Sequence, residues 1–125
     1  MIALLGLTLV AILSLVVCFQ IALIFGAPWG RLTQGGQHDG ALPMSGRIGA
    51  AVSIVALGAI SLCVLSVAGY WPGWPRWVGW IVVAFCTLST VFNWITPSRA
   101  ERRLWGPITT AMLALAVGLM VATRG

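Results

Sequence analysis

The chain of 125 residues carries only nine charged side chains, and none lies in the interior of its four long apolar runs. That pattern constrains the fold more than any motif does. A soluble surface needs charge on roughly a quarter to a third of its residues, whereas here charged residues are 7% and hydrophobic residues 60% of the chain. Soluble globular folds are thereby excluded, and so is disorder, which requires low hydrophobicity and high charge. What remains is a protein whose solvent is lipid.

The apolar runs cover residues 2–25, 47–70, 77–95 and 107–122. A helix of about 20 residues crosses a hydrocarbon core of about 30 Å. The fourth run is the shortest, with a reach of about 24 Å; it either starts earlier, at Leu104, or thins the bilayer locally. None of the runs alternates as a barrel strand would. In lipid, helices satisfy their own backbone. The expected fold class is therefore an all-α integral membrane protein. It forms a single transmembrane domain over residues 1–125, an antiparallel four-transmembrane-helix bundle with an ordered Gly/Pro-rich loop between helices one and two.

The net charge is +5, from seven arginines against Asp39 and Glu101. In a soluble protein this would suggest nucleic acid. Here the arginines lie in or beside connections between apolar runs or, for Arg124, just past the last run, so no nucleic-acid partner is expected and the natural partners are membrane phospholipids. Arg31, Arg47, Arg99, Arg102 and Arg103 flank the first and third connections, while Arg76 and Arg124 fall on the other side. The positive-inside rule puts the five-arginine side in the cytoplasm and both termini outside. Tryptophans form two interfacial belts, with Trp71, Trp74, Trp77 and Trp80 at one surface and Trp29, Trp94 and Trp105 at the other.

Helix association in lipid depends on small faces and polar contacts. Gly6, Ser14, Cys18, Ala22 and Gly26 recur at four- and eight-residue spacing in helix one; Thr110, Ala114, Gly118 and Ala122 recur every four residues in helix four. Close packing of helix one on helix four through Gly6, Ser14 and Cys18 against Ala114 and Gly118 is the expectation. Ser89 and Asn93 stand one turn apart in helix three, and Asn93 is expected to tie that helix to a neighbouring loop.

No acidic residue, lysine or histidine lies inside a run, so a proton-coupled carrier is not indicated. Cys18, Cys63 and Cys86 sit singly in three different runs and read as apolar fillers. His38 and Asp39 are adjacent, too few for a structural zinc site. No catalytic residue, metal or cofactor is indicated.

Two connections stand apart. The first contains Gly-Ala-Pro-Trp-Gly at 26–30 and Gly-Gly-Gln-His-Asp-Gly-Ala-Leu-Pro at 35–43, with Ser45 as a candidate N-cap. The third runs Asn93-Trp94-Ile95-Thr96-Pro97-Ser98-Arg99-Ala100-Glu101-Arg102, followed by Arg103, Trp105 and Pro107. Ser98 and Glu101 form a capping-box signal; a short interfacial helix over 99–105 is expected before Pro107 opens helix four. Arg31, Arg47, Arg102 and Arg103 are candidates for head-group or anion binding. Trp29, His38, Asp39, Asn93, Glu101 and Trp105 are candidates for a loop clasp and its polar anchors, with Glu101 paired to Arg47 or Arg31.

These strings, from Gly-Ala-Pro-Trp-Gly to Pro97-Ser98-Arg99-Ala100-Glu101-Arg102 with Trp105 and Pro107, resemble an uncharacterised family of small bacterial four-transmembrane-helix membrane proteins. The resemblance covers nearly the whole chain. It implies a bacterial inner (cytoplasmic) membrane setting and a role for the two same-side connections, and it implies no reaction. The leading functional expectation is binding of a lipid or hydrophobic ligand, or service as an accessory subunit of a membrane complex. One alternative is a membrane enzyme acting on a lipid head group or isoprenoid phosphate, with the arginines as clamps and His38, Asp39 or Glu101 moving a proton. Another is an uncoupled channel or transporter built as a homo-oligomer.

Overall fold

The computed structural model describes residues 1–124 as four helices and no strand: α1 (Ile2–Ile24), α2 (Met44–Val67), α3 (Val78–Ile95) and α4 (Arg99–Ala122). All four are long and apolar enough to cross a membrane, which makes this a multi-pass membrane protein. α1 packs mainly on α2 and α3 mainly on α4; contacts of α1 with α4 and of α2 with α3 close the ring.

Local chemistry decides where the helices stop. Gly26 (φ 95°) and Gly69 (φ 94°) adopt the left-handed conformation one residue past the caps of α1 and α2. In each case the next residue reaches back, Ala27 N to Ala22 O at 3.0 Å and Tyr70 N to Leu65 O at 2.8 Å. These are Schellman closures, which glycine permits without a steric penalty. α2 therefore ends at Val67, not at residue 70 where the apolar run ends. It also begins earlier than 47, at Met44, with Pro43 as its N-cap; Ser45 makes no capping bond.

The largest departure from the sequence reading is α4. The Ser98 hydroxyl accepts the Glu101 amide at 3.2 Å and starts the helix there. The helix then runs through Pro107, so the short helix expected over 99–105 is its first turns. Pro107 leaves the carbonyl four residues earlier without its usual donor. Just beyond it, Thr109 donates to Trp105 O at 2.7 Å and Thr110 to Gly106 O at 2.8 Å, so hydroxyls bond the carbonyls around the proline.

The core joins Leu9 and Leu13 of α1, Leu57, Ile60 and Val64 of α2, Val78, Val82 and Cys86 of α3, and Met112, Ala116 and Leu119 of α4. The small-residue stripes do not form the expected α1–α4 seam. Gly6 faces α2 instead, where a Cβ would come within 2.7 Å of the Ala68 Cβ. Ser14, Cys18 and Ala114 are exposed, and Gly118 has only the Leu5 methyls at 3.8 Å. The reason is geometric. Four residues advance a helix by about 40° more than one full turn, so a strict four-residue stripe winds off any single face.

The tight approach lies elsewhere. A Cβ on Gly79 of α3 would collide with the Met120 sulfur of α4 and come within 3.1 Å of Val67 on α2. At the same end Arg76 donates to Met120 O and to Thr123 Oγ1, placing its charge on the carbonyl end of α4. Gly79→Val is therefore expected to lower the thermal midpoint in mild detergent by the equivalent of about 1–3 kcal/mol through overpacking. Gly118→Ala should leave the midpoint essentially unchanged; equal losses would contradict this packing.

Candidate functional site

The first connection folds back over the bundle at the end where α1 stops and α4 starts. It contains two short 3-10 segments, Gly30–Leu32 and Gln34–Gly36. Its two arms meet where Gly30 N donates to Gly40 O at 2.7 Å. Gly30 allows that approach, since a Cβ would lie 2.5 Å from His38 O and 2.6 Å from Gly40 O. Gln34, Gly35 and Gly36 all have positive φ, at 52°, 76° and 70°. Such a turn strains a non-glycine residue, and Gln34 holds it with its amide donating to Gly46 O at 2.8 Å.

Three bonds from the start of α4 fasten this loop. The Glu101 carboxylate accepts the Gly35 amide at 3.0 Å, the Ser98 hydroxyl donates to Arg31 O at 2.7 Å, and the Trp105 indole donates to Leu32 O at 2.8 Å. Trp105 also meets Phe19 edge-on at a centroid distance of 4.9 Å, and Phe19 stacks on Trp29 at 5.7 Å. Leu42 is buried against Leu23 and Ala50, between α1 and α2.

Glu101 thus bridges the first and third connections through a backbone amide, not through the expected arginine. Arg47 is engaged elsewhere, donating to Leu42 O at 2.9 Å and to Ile24 O at 3.3 Å. It places its charge at the carbonyl end of α1, as Arg76 does for α4, where a cation is favoured. Arg31 contributes its carbonyl, while its side chain is exposed.

Beneath the loop is a half-open cavity of about 350 Å³ reached by all four helices. Its lining includes the polar side chains of Gln20, Thr33, Gln34, Ser53, Ser89, Asn93, Glu101 and Thr109. The other lining residues are apolar, among them Val16, Phe19, Leu57, Phe85, Trp105 and Met112. Glu101, Leu57 and Met112 are buried, whereas Ala56 and Gln34 are the exposed wall residues. Asn93 does not tie α3 to a loop; its amide donates to Ser89 O of its own helix at 2.7 Å, and it belongs to the cavity wall.

The structure does not gather the other candidates here. Glu101 is the cavity's single titratable side chain. His38 and Asp39 lie on the return arm of the loop and line neither this cavity nor a second groove outside the bundle, to which Arg102 and Arg103 belong. Among the described residues no three His, Cys, Asp or Glu side chains come close enough to hold a metal ion. Two cavity residues, Gln20 and Gln34, carry no motif in the sequence; only a lone amide in an otherwise apolar run marks Gln20.

Because Glu101 holds an amide and not a guanidinium, its substitutions separate the two kinds of partner. Glu101→Ala removes the acceptor and is expected to raise protease cutting within residues 30–46 roughly fivefold or more, from loss of a hydrogen bond to a charged group. Glu101→Gln keeps an acceptor oxygen and should fall between Ala and wild type. Equal cutting of the Gln and Ala variants would point to an ion pair instead. Compared with family models, with curated proteins and with solved structures, the chain has no match.

Proposed function

We propose that the protein binds one molecule of an amphipathic lipid or hydrophobic ligand in the cavity beneath the first connection. The observation that carries this reading is the cavity's mixed lining, in which polar side chains accompany apolar ones. Ligand sites are concave and largely apolar, with a few convergent polar groups that fix orientation, and volumes of about 300–1,000 Å³ are typical. Here Gln20, Asn93 and Glu101 would meet a polar head while Phe19, Phe85 and Met112 receive an apolar stem. A binding role asks for no catalytic pair. The enzyme alternative has less to rest on, because neither the four candidate arginines nor His38 and Asp39 share the cavity with Glu101.

The setting proposed for this activity is the bacterial inner membrane, in keeping with the family resemblance of the loop strings. The four helices would run antiparallel, with the Gly/Pro-rich first connection ordered by its bonds to α4. The arginine bias supports a topology with that end of the bundle in the cytoplasm and both termini outside. The cavity would then open near the inner-leaflet surface, where an amphipathic molecule can enter from the bilayer. An accessory role in a larger membrane complex is compatible with the same site.

Native mass spectrometry of protein extracted with its own lipids tests the proposal. The wild type should retain a reproducible bound mass at a one-to-one ratio. Ser89→Phe, which extends a half-buried wall residue into the cavity, should lose most of that mass while remaining helical. Equal retention by the variant, or no bound mass in either protein, would contradict the reading.

A further inference from the structure

The start of α4 presents two opposite faces. Glu101 and Trp105 point inward to the loop and the cavity. Arg99, Arg102 and Arg103 stand at i, i+3 and i+4, and such residues share one side of a helix. With Trp94 and Pro107 they line a separate open groove of about 470 Å³.

The groove has a built wall. The Trp94 indole donates to Thr110 Oγ1 at 2.9 Å. Its ring lies against Gly106, where a Cβ would come within 3.0 Å of the ring carbons. Gly106 and Thr110 therefore hold the indole on α4, directly beyond the arginines. Pro107 adds a rigid apolar surface.

The groove's charge is uncompensated. Among the described residues, none of the three guanidiniums has a hydrogen-bond or ion-pair partner within the chain. The nearby carboxylate, Glu101, is turned away toward Gly35. The three cations also sit in the first turns of a helix, the end whose backbone dipole favours anions. Such an arrangement calls for an anion from outside the chain.

We propose that this groove is a site for the phosphates of an anionic phospholipid, with a headgroup bearing two phosphodiesters preferred over one. Guanidinium forks bind phosphate oxygens in pairs, and three of them exceed what a single phosphodiester charge neutralises. Trp94 and Pro107 provide an apolar edge for the glycerol and the upper acyl chains. An indole at this place also suits the headgroup level of a bilayer. The site is independent of the interior cavity, because no residue lines both.

The test uses full-length protein in nanodiscs of phosphatidylcholine doped with phosphatidylglycerol or with diphosphatidylglycerol, read by native mass spectrometry after lipid exchange. Diphosphatidylglycerol should be retained most and phosphatidylcholine least. The double substitution Arg102→Gln/Arg103→Gln should reduce diphosphatidylglycerol retention by at least about fivefold, given two lost charge-assisted contacts. Arg31→Gln, an exposed loop arginine outside the groove, should leave it unchanged. Gly106→Ala, which displaces the indole and keeps every charge, should weaken retention by a smaller factor. Retention independent of headgroup, or an equal loss on Arg31→Gln, would mean nonspecific attraction to the lipid surface and overturn the proposal. Displacement of diphosphatidylglycerol by millimolar inorganic phosphate would identify a free-phosphate site and also overturn it. Because Ser89→Phe alters only the interior cavity, it should spare this binding, so failure of one site is distinguishable from failure of the other.

Discussion

A glycine-rich loop over the mouth of a helix bundle has to be held against its own entropy, which costs about 1–2 kcal/mol for each residue fixed. The bond from the Gly35 amide to the Glu101 carboxylate is the contact around which the loop-side end is organised. A hydrogen bond to a charged group contributes about 1.5–3 kcal/mol, more than a neutral one. It does not act alone. Ser98, Trp105, Gln34 and Arg47 each grip a backbone carbonyl within or beside the same loop. Three of these carbonyls, those of Arg31, Leu32 and Leu42, belong to the loop itself and lie outside every α-helix, and backbone polar groups of this kind need partners.

That one contact also sorts the charges at the start of α4. With Glu101 directed inward, the arginines on the other side of the helix are left without an acid. The interior cavity acquires a carboxylate in its lining, and the exterior acquires a cationic groove beside Trp94. Opposite properties on adjacent residues such as Glu101 and Arg102 follow from helical geometry, in which neighbours in sequence point about 100° apart. The far end of the bundle is closed differently. There Gly79 lets α3 approach α2 and α4 closely, and Arg76 covers the carbonyl end of α4.

The four spans were legible because the absence of charge over about 20 residues has few other physical meanings. Helix ends were less so. The apolar composition continues through Gly69, and only the backbone conformation of that glycine reveals the stop. Pro107 read as a helix start because proline favours the first turn, yet the Ser98 cap had already begun the helix nine residues earlier. The helix faces were misread for a different reason. Ser14 and Ala114 are small, but in lipid a small residue can face the acyl chains as well as another helix, and composition does not tell these apart. In the same way, Glu101 was recognisable as a bridge between connections, while its partner was not. A backbone amide such as that of Gly35 leaves no trace in the sequence, whereas arginines are conspicuous. Gln20 and Gln34 were invisible as cavity residues because their role depends on where the loop comes to rest.

The central claim is that the loop is held by the Gly35 amide on Glu101, and hydrogen–deuterium exchange at that amide measures it most directly. Fragment-resolved exchange in detergent or nanodiscs should find the Gly35 amide strongly protected in the wild type. In Glu101→Ala it should become as fast as an unbonded loop amide, while the spans α1 to α4 keep their protection. A Gly35 amide that exchanges as fast in the wild type as in Glu101→Ala would contradict the account.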